Sequence, residues 1–280
     1  MKMLKLFWVL LLTGITLLFS CKSNDKKKDD TSVKEPKLKE EVVSYRVDSL
    51  NMNSYVVYDE NIEGKRPAIL VIHEWWGLND YAKMRARKLA ELGYIAMAVD
   101  MYGNGQTGND PDAAGKLAMP FYTNPGMAKK HFDAALENFK KNPAVDPANM
   151  AAIGYCFGGG MAVGLARMGA DLKGAVSFHG NLNIVPINKE LLKAEILVCH
   201  GNADPLVPQA EVDQFKKQMD SVGAKYVFKE YDNATHAFTN PNATAMGEKF
   251  NLPIKYDAAA DSASWSDMKE FFRRIFQKNG

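Results

Sequence analysis

The residue best suited to covalent chemistry is a cysteine set among glycines, in the segment Gly154-Tyr155-Cys156-Phe157-Gly158. A nucleophile flanked by glycines at two-residue spacing is typical of a sharp turn from a strand into a helix, which exposes the nucleophilic side chain. The N-terminus of a helix also favours the thiolate form of a cysteine. The pattern therefore predicts that Cys156 is a nucleophile. The alternative is a glycine-rich turn that contains a cysteine by coincidence.

Two residues further along the chain have the chemistry that a cysteine nucleophile needs. A thiol is activated by a base, and the base is held in place by a third group. His236, in the segment Asn233-Ala234-Thr235-His236, is the candidate base, and Asp204, in a turn-rich segment, is the candidate orienting acid. A turn carboxylate and a surface histidine are the alternatives for these two residues.

Short apolar runs alternate with helical patterns along the chain and indicate how these residues are positioned. Strands alternating with helices predict an α/β fold, a mostly parallel central sheet with helices on both faces. Ligands bind at the carboxyl ends of the strands in such sheets. The candidate residues follow predicted strands, which are Ala68 to His73, Tyr94 to Val99, Met150 to Gly154, Gly174 to His179, Ile196 to His200 and Tyr226 to Tyr231.

The order of these segments resembles the dienelactone hydrolase family of the α/β-hydrolase superfamily. The likeness rests on the cysteine turn, the Asp204 segment and the His236-Ala237-Phe238 segment, and it extends from about Tyr55 to Phe276. It implies an α/β-hydrolase fold and cleavage of ester bonds by a Cys-His-Asp triad. It also implies that Glu74 holds or takes the thiol proton until substrate displaces it.

Acyl transfer also requires donors for the oxyanion, and the backbone N–H groups of Phe157 and Trp75 have the expected positions. We expect Trp76, Tyr102 and His179 to line the substrate pocket. Family members that cleave dienelactone carry an arginine soon after the segment equivalent to Asp100-Met101-Tyr102. This sequence has glycine and asparagine there, so the resemblance does not extend to an anionic dienelactone substrate.

The N-terminus predicts export. Residues 1–21 have two lysines, an apolar run and a small residue before Cys21, which resembles a lipoprotein signal in which Cys21 is lipidated. A plain signal peptide or membrane anchor is the alternative. Residues 22–40 are highly charged and predict a flexible tether, and residues 41–280 predict the hydrolase domain. We therefore expect a location in the bacterial cell envelope, on the periplasmic or outer-membrane side, with a lipid anchor as the only membrane contact.

Composition narrows the class of protein. The chain has 280 residues with 46% hydrophobic and 24% charged content, which suits one globular domain. The formal net charge of +2 and the absence of basic stretches interleaved with aromatics outside the tail argue against a nucleic-acid partner. The histidine and cysteine spacings predict no metal site, and the glycine run predicts no nucleotide cofactor.

The sequence thus predicts a monomeric, exported hydrolase that cleaves a small-molecule ester or lactone through a cysteinyl acyl-enzyme. One alternative is a carboxylesterase or thioesterase that acts on an envelope-derived or carbohydrate-linked ester. The other is a binding lipoprotein that keeps the fold without turnover.

Overall fold

The computed structural model describes residues 35–276 of the chain. The predicted signal peptide, Cys21 and the first part of the predicted tether lie outside the described residues. The domain forms the compact unit that begins at Pro36. Between residues 35 and 276, no helix combines the length and the apolar character needed to cross a bilayer.

One eight-stranded sheet organises the domain, in the strand order β1-β2-β4-β3-β5-β6-β7-β8. The pairs β1–β2 and β2–β4 are antiparallel, and every other pair is parallel. The strands are β1 Leu38–Val47, β2 Leu50–Asp59, β3 Arg66–Ile72, β4 Ile95–Val99, β5 Val145–Tyr155, β6 Gly174–Phe178, β7 Glu195–Gly201 and β8 Tyr226–Tyr231.

Seven helices of the described residues cover both faces of the sheet. They are α1 Asp80–Glu91, α2 Pro111–Thr123, α3 Pro125–Phe139, α4 Phe157–Arg167, α5 Gln209–Ser221, α6 Ala243–Phe250 and α7 Ala258–Phe276. Side chains of β3 alternate between two apolar cores, as the two-residue period of a strand requires. Leu70 packs in the core under α2 to α5, whereas Ile69 and Val71 pack in the core under α1 and α7.

The first strand begins earlier than the sequence predicts. β1 starts at Leu38, so the last three residues of the predicted tether at 22–40 belong to the domain instead. Lys39 lies over the ring of Tyr58, and Glu40 forms an ion pair with Arg87. These charged side chains make the strand difficult to recognise in the sequence, because an edge strand is half exposed and carries polar residues.

Two helices lie where the sequence predicts no element. Asp110 caps α2 by accepting a hydrogen bond from the backbone N–H of Ala113, but Gly115 and Pro120 inside the helix obscure its pattern. The eight-residue α6 is too short to give a clear helical period. It nevertheless contributes a wall of the site described next. The hairpin between β1 and β2 turns at Asp48 and Ser49.

Candidate active site

Cys156 stands on a strained turn between β5 and α4. Its φ is 53° and its ψ is −116°, a conformation that costs free energy in any residue with a side chain. A Cβ at Gly154 would lie 1.9 Å from the Gly158 carbonyl oxygen, and one at Gly158 would lie 2.2 Å from the Ile72 carbonyl oxygen. Glycine is therefore required at both positions, and the turn has the geometry predicted for a nucleophile elbow.

Asp204 and His236 form a buried pair beside this turn. Asp204 follows β7, His236 follows β8, and His236 Nδ1 donates a hydrogen bond of 2.8 Å to Asp204 Oδ2. Both side chains are 5% exposed or less. This contact fixes the ring so that Nε2, which has no hydrogen-bond partner among the described residues, is free for chemistry.

The charge state of His236 depends on Cys156. Burial lowers the pKa of His236, but the negative charge of a Cys156 thiolate and the hydrogen bond to Asp204 outweigh burial and raise this pKa to about 10. A negative charge on the sulfur therefore favours the protonated form of His236.

Glu74, just after β3, is the second carboxylate of the site. It is 3% exposed, and its Oε2 accepts a hydrogen bond of 2.8 Å from Asn240 Nδ2. Burial raises the pKa of Glu74 to about 7, although the Asn240 contact and the positive charges of His236 and Arg85 oppose the increase. Glu74 can therefore hold or release a proton near neutral pH.

A cavity of about 310 Å³ brings these side chains together at the carboxyl ends of the strands. Cys156, His236 and Glu74 all line it, while Asp204 lies behind His236. The walls are mostly apolar, and α6 and the segment after it supply one side. The lining residues are Glu74, Trp75, Trp76, Tyr122, Cys156, Asn181, Leu206, His236, Ala237, Asn240, Ala243, Met246, Leu252, Pro253 and Ile254.

Of the three residues expected to line the pocket, the structure places only Trp76 in the cavity wall. Tyr102 is buried against Phe121 and Phe157, and its hydroxyl donates a hydrogen bond of 2.9 Å to the Trp75 carbonyl oxygen. Its expected place was therefore wrong, because the side chain points into the core under α2 and supports the backbone of Trp75 from behind.

The expected place of His179 was also wrong, because this residue lies behind the elbow. Its Nδ1 accepts a hydrogen bond of 3.1 Å from the Cys156 backbone N–H, and its Nε2 donates one of 2.7 Å to Thr239 Oγ1. Burial lowers the pKa of His179 well below its usual value, so the ring is neutral. A φ of 44° turns the backbone at the end of β6 and directs the ring away from the cavity.

The two backbone groups expected to bind an oxyanion come from different elements. Phe157 is the first residue of α4, where a helix leaves N–H groups without acceptors in the preceding turn. Trp75 follows β3 and lines the cavity.

Two residues that connect these parts are not predicted from the sequence. Thr239 and Asn240 lie three and four residues after His236, and they contact His179 and Glu74 respectively. A cluster of polar residues after the histidine was the available signal. Within the described range, no group of three or more His, Cys, Asp or Glu side chains is arranged to hold a metal ion.

Comparison with known proteins identifies the family. The model of the "Dienelactone hydrolase family" matches residues 52–276. A relative from Aquifex aeolicus named "Putative carboxymethylenebutenolidase" is 30% identical over 212 residues, which cover 74% of this chain and 87% of that protein.

Solved structures agree with this assignment. A "Dienelactone Hydrolase-like Promiscuous" phosphotriesterase from metagenomic libraries is 34% identical, with a TM-score of 0.81, and the match covers 86% of this chain and 99% of that one. Esterase 2 of Thermogutta terrifontis, at 19% identity and a TM-score of 0.58 over 86% of this chain and 96% of its own, shares the fold alone.

The chain belongs to the dienelactone hydrolase family and has the predicted α/β-hydrolase fold. It is a hydrolase that acts on ester or lactone bonds.

Proposed function

We propose that this hydrolase cleaves neutral carboxylic esters and lactones through a thioester on Cys156. The observation that carries the proposal is the shared cavity. There the Asp204–His236 pair, joined at 2.8 Å, leaves His236 Nε2 free beside a cysteine on a strained elbow. In this proposal Cys156 is the nucleophile, His236 the acid–base group and Asp204 the orienting group.

The first half-reaction forms the acyl-enzyme. Before substrate binds, Glu74 holds the thiol proton. When substrate displaces the carboxyl group, this proton passes from Glu74 to Nε2 of the neutral His236 ring, and the thiolate attacks the carbonyl carbon. A C–S bond forms, and the carbonyl electron pair moves to an oxyanion that accepts hydrogen bonds from the N–H groups of Phe157 and Trp75. Collapse breaks the ester C–O bond, and the leaving alkoxide takes the Nε2 proton.

The second half-reaction is hydrolysis of the thioester. Neutral His236 takes a proton from water at Nε2, and the resulting hydroxide attacks the acyl carbon. Collapse breaks the C–S bond, releases the acid and returns the thiolate beside the imidazolium. Asp204 stabilises the imidazolium in both halves of the cycle without taking its proton.

The walls of the cavity support a neutral substrate. Among residues 35–276, neither lysine nor arginine lines this cavity, whereas its apolar wall includes Leu206, Met246 and Ile254. At the position where an arginine clamp would stand, Asn104 Oδ1 instead accepts a hydrogen bond of 3.0 Å from the backbone N–H of Asn51. A substrate carboxylate would lack a bidentate partner there.

Hydrolysis of 4-nitrophenyl butyrate tests the proposal. We expect Cys156→Ala to lower kcat by about 10⁴-fold. Cys199→Ala, at a cysteine buried in β7, is the matched control and should retain activity. Mass spectrometry of rapidly quenched enzyme should find butyrate on Cys156. Equal rates for wild type and Cys156→Ala would refute the nucleophile, and no rate for the wild type on a panel of esters and lactones would favour the binding protein.

We also propose, from the sequence alone, that the mature chain is anchored in the envelope through a lipid on Cys21. Mass spectrometry of the membrane fraction, with Cys21→Ser as the comparison, tests the anchor. A mature protein that retains an unmodified Cys21 would exclude lipidation.

A further inference from the structure

A second hollow of about 560 Å³ adjoins the active-site cavity, and we call it the side hollow. Two residues, Tyr122 and Asn181, line both spaces. The remaining walls of the side hollow come from α2, the segment after β6 and the start of α5. These walls are formed by Met119, Asn183, Ile184, Ala210, Glu211 and Gln214.

The partition between the two spaces is thin. Tyr122 donates its hydroxyl hydrogen to Asn181 Oδ1 at 3.4 Å, which is long for a bond between two oxygens. Cys156 lies on the cavity side of this pair. An ester whose carbonyl carbon lies at Cys156 has two substituents. If the apolar cavity holds the acyl chain, the alcohol portion can pass this pair into the side hollow.

An unpartnered acceptor indicates what the side hollow binds. Asn183 Nδ2 donates a hydrogen bond of 2.9 Å to the Glu211 carbonyl oxygen, which fixes the orientation of the amide. Asn183 Oδ1 is buried and has no partner among the described residues. A buried acceptor without a donor is costly, and a small movement of the wall would let a hydroxyl group of a ligand in the side hollow supply that donor. The exposed amide of Gln214 adds a further donor and acceptor.

The charge of the lining residues disfavours an anionic occupant. The side hollow has neither lysine, arginine nor histidine among its described lining residues, and it contains one carboxylate, Glu211. Glu211 Oε1 accepts a hydrogen bond of 2.5 Å from the Leu182 backbone N–H, so it is held at the wall. Met119, whose exposed fraction is 57%, and Ile184 supply apolar surface for the C–H face of a ring.

We propose that the side hollow binds the alcohol portion of the ester, and that this portion is a neutral, hydroxyl-rich ring such as a sugar. The inference rests on the proposed function, because it takes the reacting carbonyl to lie at Cys156. It assigns the substrate to the acyl esters of carbohydrates, with the acyl chain in the active-site cavity and the ring in the side hollow.

Three butyrate esters with the same acyl group test the assignment. 6-O-butyryl-D-glucose and cyclohexylmethyl butyrate differ in the hydroxyl groups and oxygen of a six-membered ring, and 4-nitrophenyl butyrate reports the chemistry at Cys156. We expect wild-type kcat/KM to be about tenfold or more higher for the glucose ester than for the cyclohexylmethyl ester. In Asn183→Leu and Gln214→Leu this ratio should fall towards one, while the exposed control Gln209→Leu on α5 keeps the wild-type ratio.

The outcomes separate the two proposals. Hydrolysis of 4-nitrophenyl butyrate that depends on Cys156, with equal kcat/KM for the two ring esters, would overturn the side hollow alone. A preference that survives in both Asn183→Leu and Gln214→Leu would do the same. Gln214 is exposed, so its variant keeps the test decisive if Asn183→Leu does not fold. Activity that is independent of Cys156 would overturn the proposed function, and the side hollow with it.

Discussion

Asn240 Nδ2 donates a hydrogen bond of 2.8 Å to Glu74 Oε2, and both residues are buried in the wall of the active-site cavity. The two residues are 166 positions apart in the chain. The segment of His236 to Asn240 therefore holds three parts of the site at once, through His236 to Asp204, through Thr239 to His179 and through Asn240 to Glu74.

The Asn240 contact should set the pH dependence of catalysis. Burial raises the pKa of Glu74 to about 7, and the Asn240 donor lowers it. If ionised Glu74 is needed to take the thiol proton, kcat/KM should fall as the pH drops below about 7. Asn240→Leu removes the donor and should move this fall in kcat/KM, the acidic limb of the pH–rate profile, to higher pH. The exposed Asn242→Ala should leave the acidic limb in place. A limb that stays in place in Glu74→Gln, measured by pH–rate profiles, would contradict the assignment.

The burial of Glu74 should also lower the free energy of unfolding at neutral pH. In the unfolded chain Glu74 ionises above about pH 4.5, but in the fold it stays protonated until about pH 7. The folded state therefore binds more protons in this window, and stability falls as the pH rises through it. Glu74→Gln should be more stable than wild type by up to about 3 kcal/mol at pH 8, with little difference at pH 4.

Urea unfolding at the two pH values measures the change in the free energy of unfolding. Exposed Glu91→Gln is the control for the same substitution at the surface. An equal effect of Glu74→Gln at pH 4 and pH 8 would mean that burial does not perturb this carboxyl group.

Thr239 should act as a positioning residue. Its Oγ1 contacts His179 Nε2 at 2.7 Å and the Tyr81 hydroxyl at 2.6 Å. His179 in turn accepts a hydrogen bond from the backbone N–H of Cys156. Thr239→Val keeps the shape but removes both contacts, so we expect a loss of about 1–3 kcal/mol in the free energy of unfolding. Displacement of the elbow should lower kcat about tenfold with little change in KM.

Thr239→Ser keeps the oxygen and should restore kcat, which separates positioning from simple packing. Steady-state kinetics on 4-nitrophenyl butyrate, with unfolding curves for each variant, checks both expectations. A Thr239→Ser enzyme as slow as Thr239→Val would contradict the positioning role, because serine keeps the hydroxyl and lacks only the methyl group.

The sequence predicts the fold and the place of the site because both follow from local pattern. Apolar strands between helices imply a parallel sheet, and the carboxyl ends of its strands meet at one edge. The proximity of Cys156, His236 and Glu74 can therefore be predicted without knowing how the side chains pack.

The direction of a side chain beyond a strand end does not follow from pattern. Tyr102 and His179 both follow strands, yet the first packs in the core and the second turns behind the elbow. The contact of Asn240 with Glu74, and the wall formed by α6, depend on how distant segments pack. A single sequence carries no period or spacing from which such contacts can be read.

Gly158 should tolerate no side chain. A Cβ there would lie 2.2 Å from the Ile72 carbonyl oxygen, so α4 cannot pack against β3 without moving. Gly158→Ala should therefore lose about 3 kcal/mol or more of the free energy of unfolding. At Gly115, within α2, a Cβ would meet no other atom within 4 Å, so Gly115→Ala should instead gain about 0.5–1 kcal/mol. Urea unfolding of the two variants checks the contrast, which equal stabilities would contradict.

Loss of the buried ion pair between Arg85 and Asp261 should lower the free energy of unfolding far more than loss of a surface pair. Arg85 is 1% exposed and donates to Asp261 at 2.7 Å, whereas Arg87 and Glu40 form a 2.7 Å pair with 36% and 39% exposure. Asp261→Ala leaves the Arg85 charge buried without its partner and should cost about 3–5 kcal/mol. Glu40→Ala should cost less than about 1 kcal/mol, because water screens the remaining charge.

A double variant, Arg85→Met with Asp261→Leu, removes both charges and should be more stable than Asp261→Ala alone. The reason is that the large loss in Asp261→Ala comes from an uncompensated charge and only partly from the missing hydrogen bond. Chemical unfolding of the single and double variants measures the coupling between the two residues. If the double variant is less stable than Asp261→Ala, the stacking of the guanidinium on Tyr81 and Trp265, with ring distances of 5.2 and 5.5 Å, outweighs the cost of its buried charge.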